Sequence, residues 1–164
     1  MTLATHIVIA AAVTKTFASA HPILGFFAAL ATHYLADAIP HWDYPVGSAP
    51  RDPTTGEVKK TFQRQAFLRD VRNAGIDFGV GSAIFFLASP PTGTMHTLAM
   101  LAIIAGAVLP DAFQGLYIAK KWGFLEAIQR VHDIFHTKIR LGPFPLIGIP
   151  LQLLIAGAAL LILI

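Results

Sequence analysis

The chain has 164 residues, of which 55% are hydrophobic and 13% charged, with a mean hydropathy of +0.63. An average soluble domain carries roughly 25% charged residues, so this composition excludes a disordered chain, a nucleic-acid-binding arm and an ordinary soluble enzyme, and it points to a bilayer. The absence of cysteine excludes disulfides, thiolate metal sites and a cysteine nucleophile.

In chain order, five apolar stretches are expected to span the membrane, at 3–20, 22–39, 71–88, 93–119 and 144–164. At about 20 residues per span, they make the chain one all-α membrane domain. The first stretch is interrupted by His6 and Lys15. It lacks a basic leading region and so reads as a retained helix rather than a cleaved signal. Residues 40–70 form a polar loop containing Pro50, Pro53 and Gly56, with a short helix expected at its end. Between the fourth and fifth stretches, Trp122, Leu125, Ile128, Val131, Phe135 and Ile139 recur every three or four residues. That pattern predicts an amphipathic helix over 120–139, lying at the membrane surface.

Eleven of the twelve basic residues fall in the two long loops: Arg51, Lys59, Lys60, Arg64, Arg69 and Arg72 in the first, and Lys120, Lys121, Arg130, Lys138 and Arg140 in the second. With five spans both loops lie on one side. The positive-inside rule then makes that side, and the N-terminus, cytoplasmic, as in a multi-pass protein of the inner (plasma) membrane.

Ionisable groups inside spans cost about 2.5–3.5 kcal/mol each at a helix centre, so each needs a reason. On this topology His6, His33, Asp37, Asp77, Asp111, His132 and His136 all fall towards the cytoplasmic ends of separate segments. His33 and Asp37 share one helical face, four residues apart. Pro40 turns Ile39 away from the α region, ending that helix and letting His41 or Asp43 fold back over it. His132 and His136 form a second pair at the same spacing. Imidazole plus carboxylate is a ligand set for zinc first, with manganese or iron as alternatives. The candidate ligands are His33, Asp37, His132, His136, His6 and His41. Asp111 and Asp43 are the candidate general bases.

Plainer explanations compete. His21 and His96 suit headgroup contacts at the opposite face, and His41, Trp42 and Tyr44 suit an interfacial belt. Asp111 follows Pro110, as at the start of a new helix. His132 and His136 also suit the solvated border of a surface helix. Asp77 has the option of pairing with a loop cation, and Lys15 of snorkelling outward or lining a polar path.

The run Gly106-Ala107-Val108-Leu109-Pro110-Asp111, with Thr5-His6 and the His33…Asp37…Pro40-His41-Trp42-Asp43 segment, resembles the small bacterial inner-membrane proteins classed as membrane-bound metal-dependent hydrolase-like. A weaker similarity is to the all-helical zinc-dependent phospholipase C and P1-type nuclease group. Its His-x3-Asp pair and following ligand resemble His33, Asp37 and Asp43, and a later His-x3-acid pair resembles His132 and His136, with His in place of the acid. The N-terminal Trp ligand of that group has no counterpart here, and its frame is not transmembrane, so the likeness stands as analogy. These resemblances imply a metal-dependent hydrolase. At headgroup depth its substrate would be a lipid or another amphiphilic ester or phosphodiester, with Lys138 or Arg140 available to a phosphate and no nucleic-acid partner. Ser19, Ser48, Ser82 and Ser89 lack a nucleophile-elbow setting. Two other functions remain open at this point: an ion or metal carrier, although the acids gather on one side only, and a structural membrane protein whose polar side chains simply link helices.

Overall fold

The computed structural model describes residues 1–18, 21–48, 63–139 and 141–164. Arg51, Lys59, Lys60 and Arg140, and with them much of the first polar loop, lie outside the described residues. The elements are α1 (Leu3–Thr14), α2 (Pro22–Asp37), α3 (Arg64–Ala88), α4 (Thr94–Lys120), α5 (Gly123–Phe135) and α6 (Pro145–Leu163), so the described chain is all-α.

α1 is the hub. It packs against α2, α3, α4 and α6, and Ile7, Val8, Ala10 and Ala11 are almost wholly buried. A helix that is apolar all round belongs inside a bundle. Its alanines keep it thin enough for four neighbours, and its side chains meet Ala29, Phe85, Met100, Ile103, Ala107 and Leu163 in one core. Its first turn is held from outside, because the Leu3 N–H donates to the Asp77 carboxylate of α3 at 2.5 Å. An acid at a helix N-terminus satisfies an orphan donor and complements the dipole. Among the described residues Asp77 pairs with no loop cation, and it lies outside the donor sets of the metal cluster below.

Gln152 of α6 reaches α1 in the same region, donating to Thr2 Oγ1 at 2.9 Å and Thr5 Oγ1 at 3.1 Å. At the other end of α1, Lys15 Nζ donates to the Ile162 carbonyl at 3.0 Å. The most extensive pairing is α2 on α4, and Gly106 makes it possible by lying directly against the Phe26 carbonyl and Ala29 of α2.

Several expected boundaries shift. The first helix stops at Thr14 rather than residue 20, and its side chains are buried among four neighbouring helices. α3 starts at Arg64, inside the expected loop. The surface helix is shorter than 120–139. Lys120 belongs to α4, and Lys121 closes that helix in the left-handed conformation (φ 52°). α4 does not restart at Pro110 but runs through it, so Asp111 is not a helix-start residue. Among the described residues two helices, α4 and α6, are long and apolar enough to cross a membrane. The other expected spans fall short of that measure. α1 and α2 have 12 and 16 residues, and α3 carries Arg72 and Asp77 within its apolar part.

Candidate metal centre

Four segments build the centre around Asp37, the last residue of α2. The carboxylate is 1% exposed, as are His6, His33, His41 and His132. Its two oxygens face different partners. Oδ2 lies 2.9 Å from His132 Nε2 and 3.2 Å from His33 Nε2. Oδ1 lies 3.1 Å from His6 Nε2 and 3.7 Å from His41 Nε2, and the Met1 α-amino group is 3.1 Å from the same oxygen.

Local backbone chemistry sets the orientation of the rings. The Ala107 carbonyl of α4 accepts a hydrogen bond of 2.7 Å from His33 Nδ1. A carbonyl only accepts, so Nδ1 carries the proton, and in the neutral ring Nε2 is left with its lone pair turned to Asp37 and to Asp111 Oδ1, 3.9 Å away. The same device recurs twice. His41 Nδ1 donates to the Ile39 carbonyl at 2.6 Å, and His136 Nδ1 to the Thr137 carbonyl at 3.2 Å. Their Nε2 atoms lie 3.2 and 3.7 Å from Asp43 Oδ2. A backbone acceptor on one imidazole nitrogen that leaves the other free to ligate is the usual support of a metal-bound histidine.

The strap after α2 is tied to the strap after α5. Thr137 N–H donates to the Asp37 carbonyl at 2.7 Å, and Leu141 N–H to the His41 carbonyl at 3.3 Å. These bonds bring the His41 and His136 rings to 4.9 Å between centroids. His136 is not on the helix beside His132 but caps its C-terminus in extended conformation. His6 arrives from α1 and stacks on His33, with ring centroids 4.0 Å apart.

Two sets of donors have the spacing to hold an ion: His33, Asp37, Asp111 and His132, and separately Asp37, His41 and His136, with ligand atoms within 4.8 Å of one another in each set. The buried His/Asp group could thus hold a metal ion. The donors suit a borderline divalent cation, since nitrogen and carboxylate oxygen are both present and sulfur is absent. Nε2 of His33 and of His41, and both ring nitrogens of His6, are buried without a hydrogen-bond partner among the described residues. Buried polar atoms are otherwise nearly always satisfied, so the centre has unused donor capacity aimed inward.

Every residue expected at the site is thus drawn to one end of the bundle. Asp43 is at the rim, with its side chain 45% exposed and its oxygens on His41, His136 and the Met1 amine. Burial opposes its ionisation, but the neighbouring His41 and the Met1 charge more than reverse this and hold it below the usual carboxylate range. Burial holds the His136 imidazole below its ordinary value. Asp111 is partly exposed, 3.9 Å from both His33 and His132. His132, buried against Asp37, is not the solvated border residue of a surface helix. His21 is exposed, and His96 accepts from Thr92 N–H at 3.1 Å, away from the cluster.

Sequence reasoning missed the Ala107 carbonyl, a backbone group that no side-chain pattern marks. Comparison with protein-family models, with curated proteins and with solved structures gives no match.

Proposed function

We propose that this protein is a membrane-bound, metal-dependent hydrolase whose site opens at the cytoplasmic face on a lipid or amphiphilic ester or phosphodiester. The observation that carries the reading is the convergence of His33, Asp37, Asp111 and His132 from three helices, with the His33 lone pair set inward by the Ala107 carbonyl. A divalent cation there, zinc before manganese or iron, would lower the pKa of a water to about 7 and polarise the scissile bond. This chain's own residues supply the rest. Asp111 and Asp43 border the site and are exposed enough to take a proton from a water, Asp43 being held ionised by its neighbours. Lys138, exposed on the strap after α5, is available to a phosphate.

Multi-pass insertion in the inner membrane belongs to the same proposal. Its support is the outer surface of the bundle. Ile23 and Phe27 of α2, Ile76 and Leu87 of α3, and Leu146 and Leu161 of α6 are all exposed. An apolar surface spread over several helices needs lipid or partners to cover it. The resemblance of the Gly106–Asp111 run and the His33…Asp43 segment to membrane-bound metal-dependent hydrolase-like proteins points the same way.

The test is elemental analysis of the purified chain beside His33→Ala and His136→Ala, followed by lipid ester and phosphodiester hydrolysis in proteoliposomes. Stoichiometric metal that both substitutions reduce, together with hydrolysis, supports the reading. Metal uptake into the vesicles without hydrolysis would instead make the chain a carrier, and a metal-free wild type would leave the cluster a structural link between helices.

A further inference from the structure

We propose that the centre holds two cations rather than one, with the Asp37 carboxylate shared between them. The inference rests on the metal-binding reading above and goes beyond it in composition. The two donor sets have only Asp37 in common, and the two oxygens of that carboxylate divide between them. Oδ2 faces His33 and His132 of the first set, at 3.2 and 2.9 Å. Oδ1 faces His41 of the second, at 3.7 Å. A carboxylate between two donor sets is the arrangement that bridges paired metals about 3.5–4 Å apart.

His41 is the independent observation. It is 1% exposed, its Nδ1 proton is committed to the Ile39 carbonyl, and its Nε2 is buried without a hydrogen-bond partner among the described residues. That nitrogen faces Asp43 Oδ2 at 3.2 Å as well as Asp37. In the neutral ring it sets a lone pair against two carboxylates, which is repulsive unless a positive charge intervenes. One dication on the first set is matched by Asp37 and Asp111 and leaves the Asp43 side without one. The Met1 α-amino group lies on Asp37 Oδ1 and Asp43 Oδ1, at 3.1 and 2.7 Å, so a second cation enters in competition with it.

The two positions are unequal. The first has four donors on three helices, all of them buried except the partly exposed Asp111. The second draws His41 and His136 from straps, and the His136 side chain is 20% exposed. The first fills at lower metal concentration and the second after it.

The experiment uses the full chain in detergent micelles, stripped with a chelator and titrated with Mn²⁺, with bound metal counted by elemental analysis and spin coupling followed by electron paramagnetic resonance. Two equivalents are expected, the second adding an exchange-coupled signal. In His136→Gln the second equivalent is expected to weaken on the order of tenfold or more, with the coupled signal gone and the first equivalent retained. His136 is the least buried member of the second set, and circular dichroism checks that the variant is folded. His41→Gln is expected to behave in the same way. A wild type that binds one uncoupled equivalent, or a second equivalent that survives both substitutions, overturns the two-cation centre and leaves the single-metal reading standing. A wild type that binds none overturns both.

Discussion

Gly106→Ala tests whether the close approach of α2 to α4 is what holds the centre together. A Cβ at position 106 would lie 2.2 Å from the Phe26 carbonyl oxygen and 3.1 Å from Ala29 Cβ, whereas ordinary contact begins at 3.4 Å. The obstacle is backbone inside α2, which has no rotamer to change, so the two helices must part by roughly 1 Å. Overpacking of this kind costs about 1–3 kcal/mol of stability. The consequence at the site is larger than the packing cost suggests. α2 carries His33 and Asp37, while α4 carries Asp111 and the Ala107 carbonyl one residue from the substitution. The 2.7 Å bond from His33 to that carbonyl would be stretched past hydrogen-bonding range, and loss of such a support weakens a metal site about 10–100-fold. The assay is a metal titration in micelles paired with chemical unfolding. Gly25→Ala is the comparison, because its Cβ would meet side chain rather than backbone, with Ile103 Cγ1 at 2.9 Å, and should leave the metal site undisturbed while costing about 1–3 kcal/mol of stability at most. A Gly106→Ala protein that binds metal as tightly as wild type would refute the argument that this helix contact sets the geometry.

Other perturbations separate ligands from structural groups. Asp37→Asn keeps the size of the side chain but removes the charge that faces four imidazoles. It should abolish stoichiometric metal binding by elemental analysis, and normal metal content would mean that Asp37 is no ligand. Asp77→Ala removes the acceptor for the Leu3 N–H and should cost about 1 kcal/mol of stability with metal content unchanged, so metal loss in a folded variant would return Asp77 to the site. Gln152→Leu deletes two hydrogen bonds to α1 and should lower stability by about 0.5–1.5 kcal/mol per bond, as read by denaturant titration. For pH, burial lowers the His136 pKa from 6.5. Below that value the unfolded chain takes up a proton that the folded chain does not, so the metal-free protein loses stability as pH falls and gains nothing from this group above it. The wild type should therefore lose more stability than His136→Gln between pH 7 and 5.5, and equal losses would show that His136 is not held neutral.

Composition and periodicity were enough to define an all-helical chain, to place breaks near Pro22, Pro40 and Pro91, and to single out His33, Asp37, Asp111, His132 and the residues around them. Apolar runs cannot hide charge without a reason, and helical spacing puts residues four apart on one face. The sequence also marked the amphipathic stretch that becomes α5. It did not show that α1 is a short core helix, since twelve residues walled in by four neighbours read like the start of a membrane span. The apolar run 93–119 did predict a helix through Pro110, as α4 is, but not what its backbone meets: His33, 74 residues away in sequence, donates to the Ala107 carbonyl. The division of Asp37 between two donor sets is of the same kind. Which oxygen faces which ring depends on two straps paired between residues about a hundred positions apart, and spacing along a chain carries no information about that.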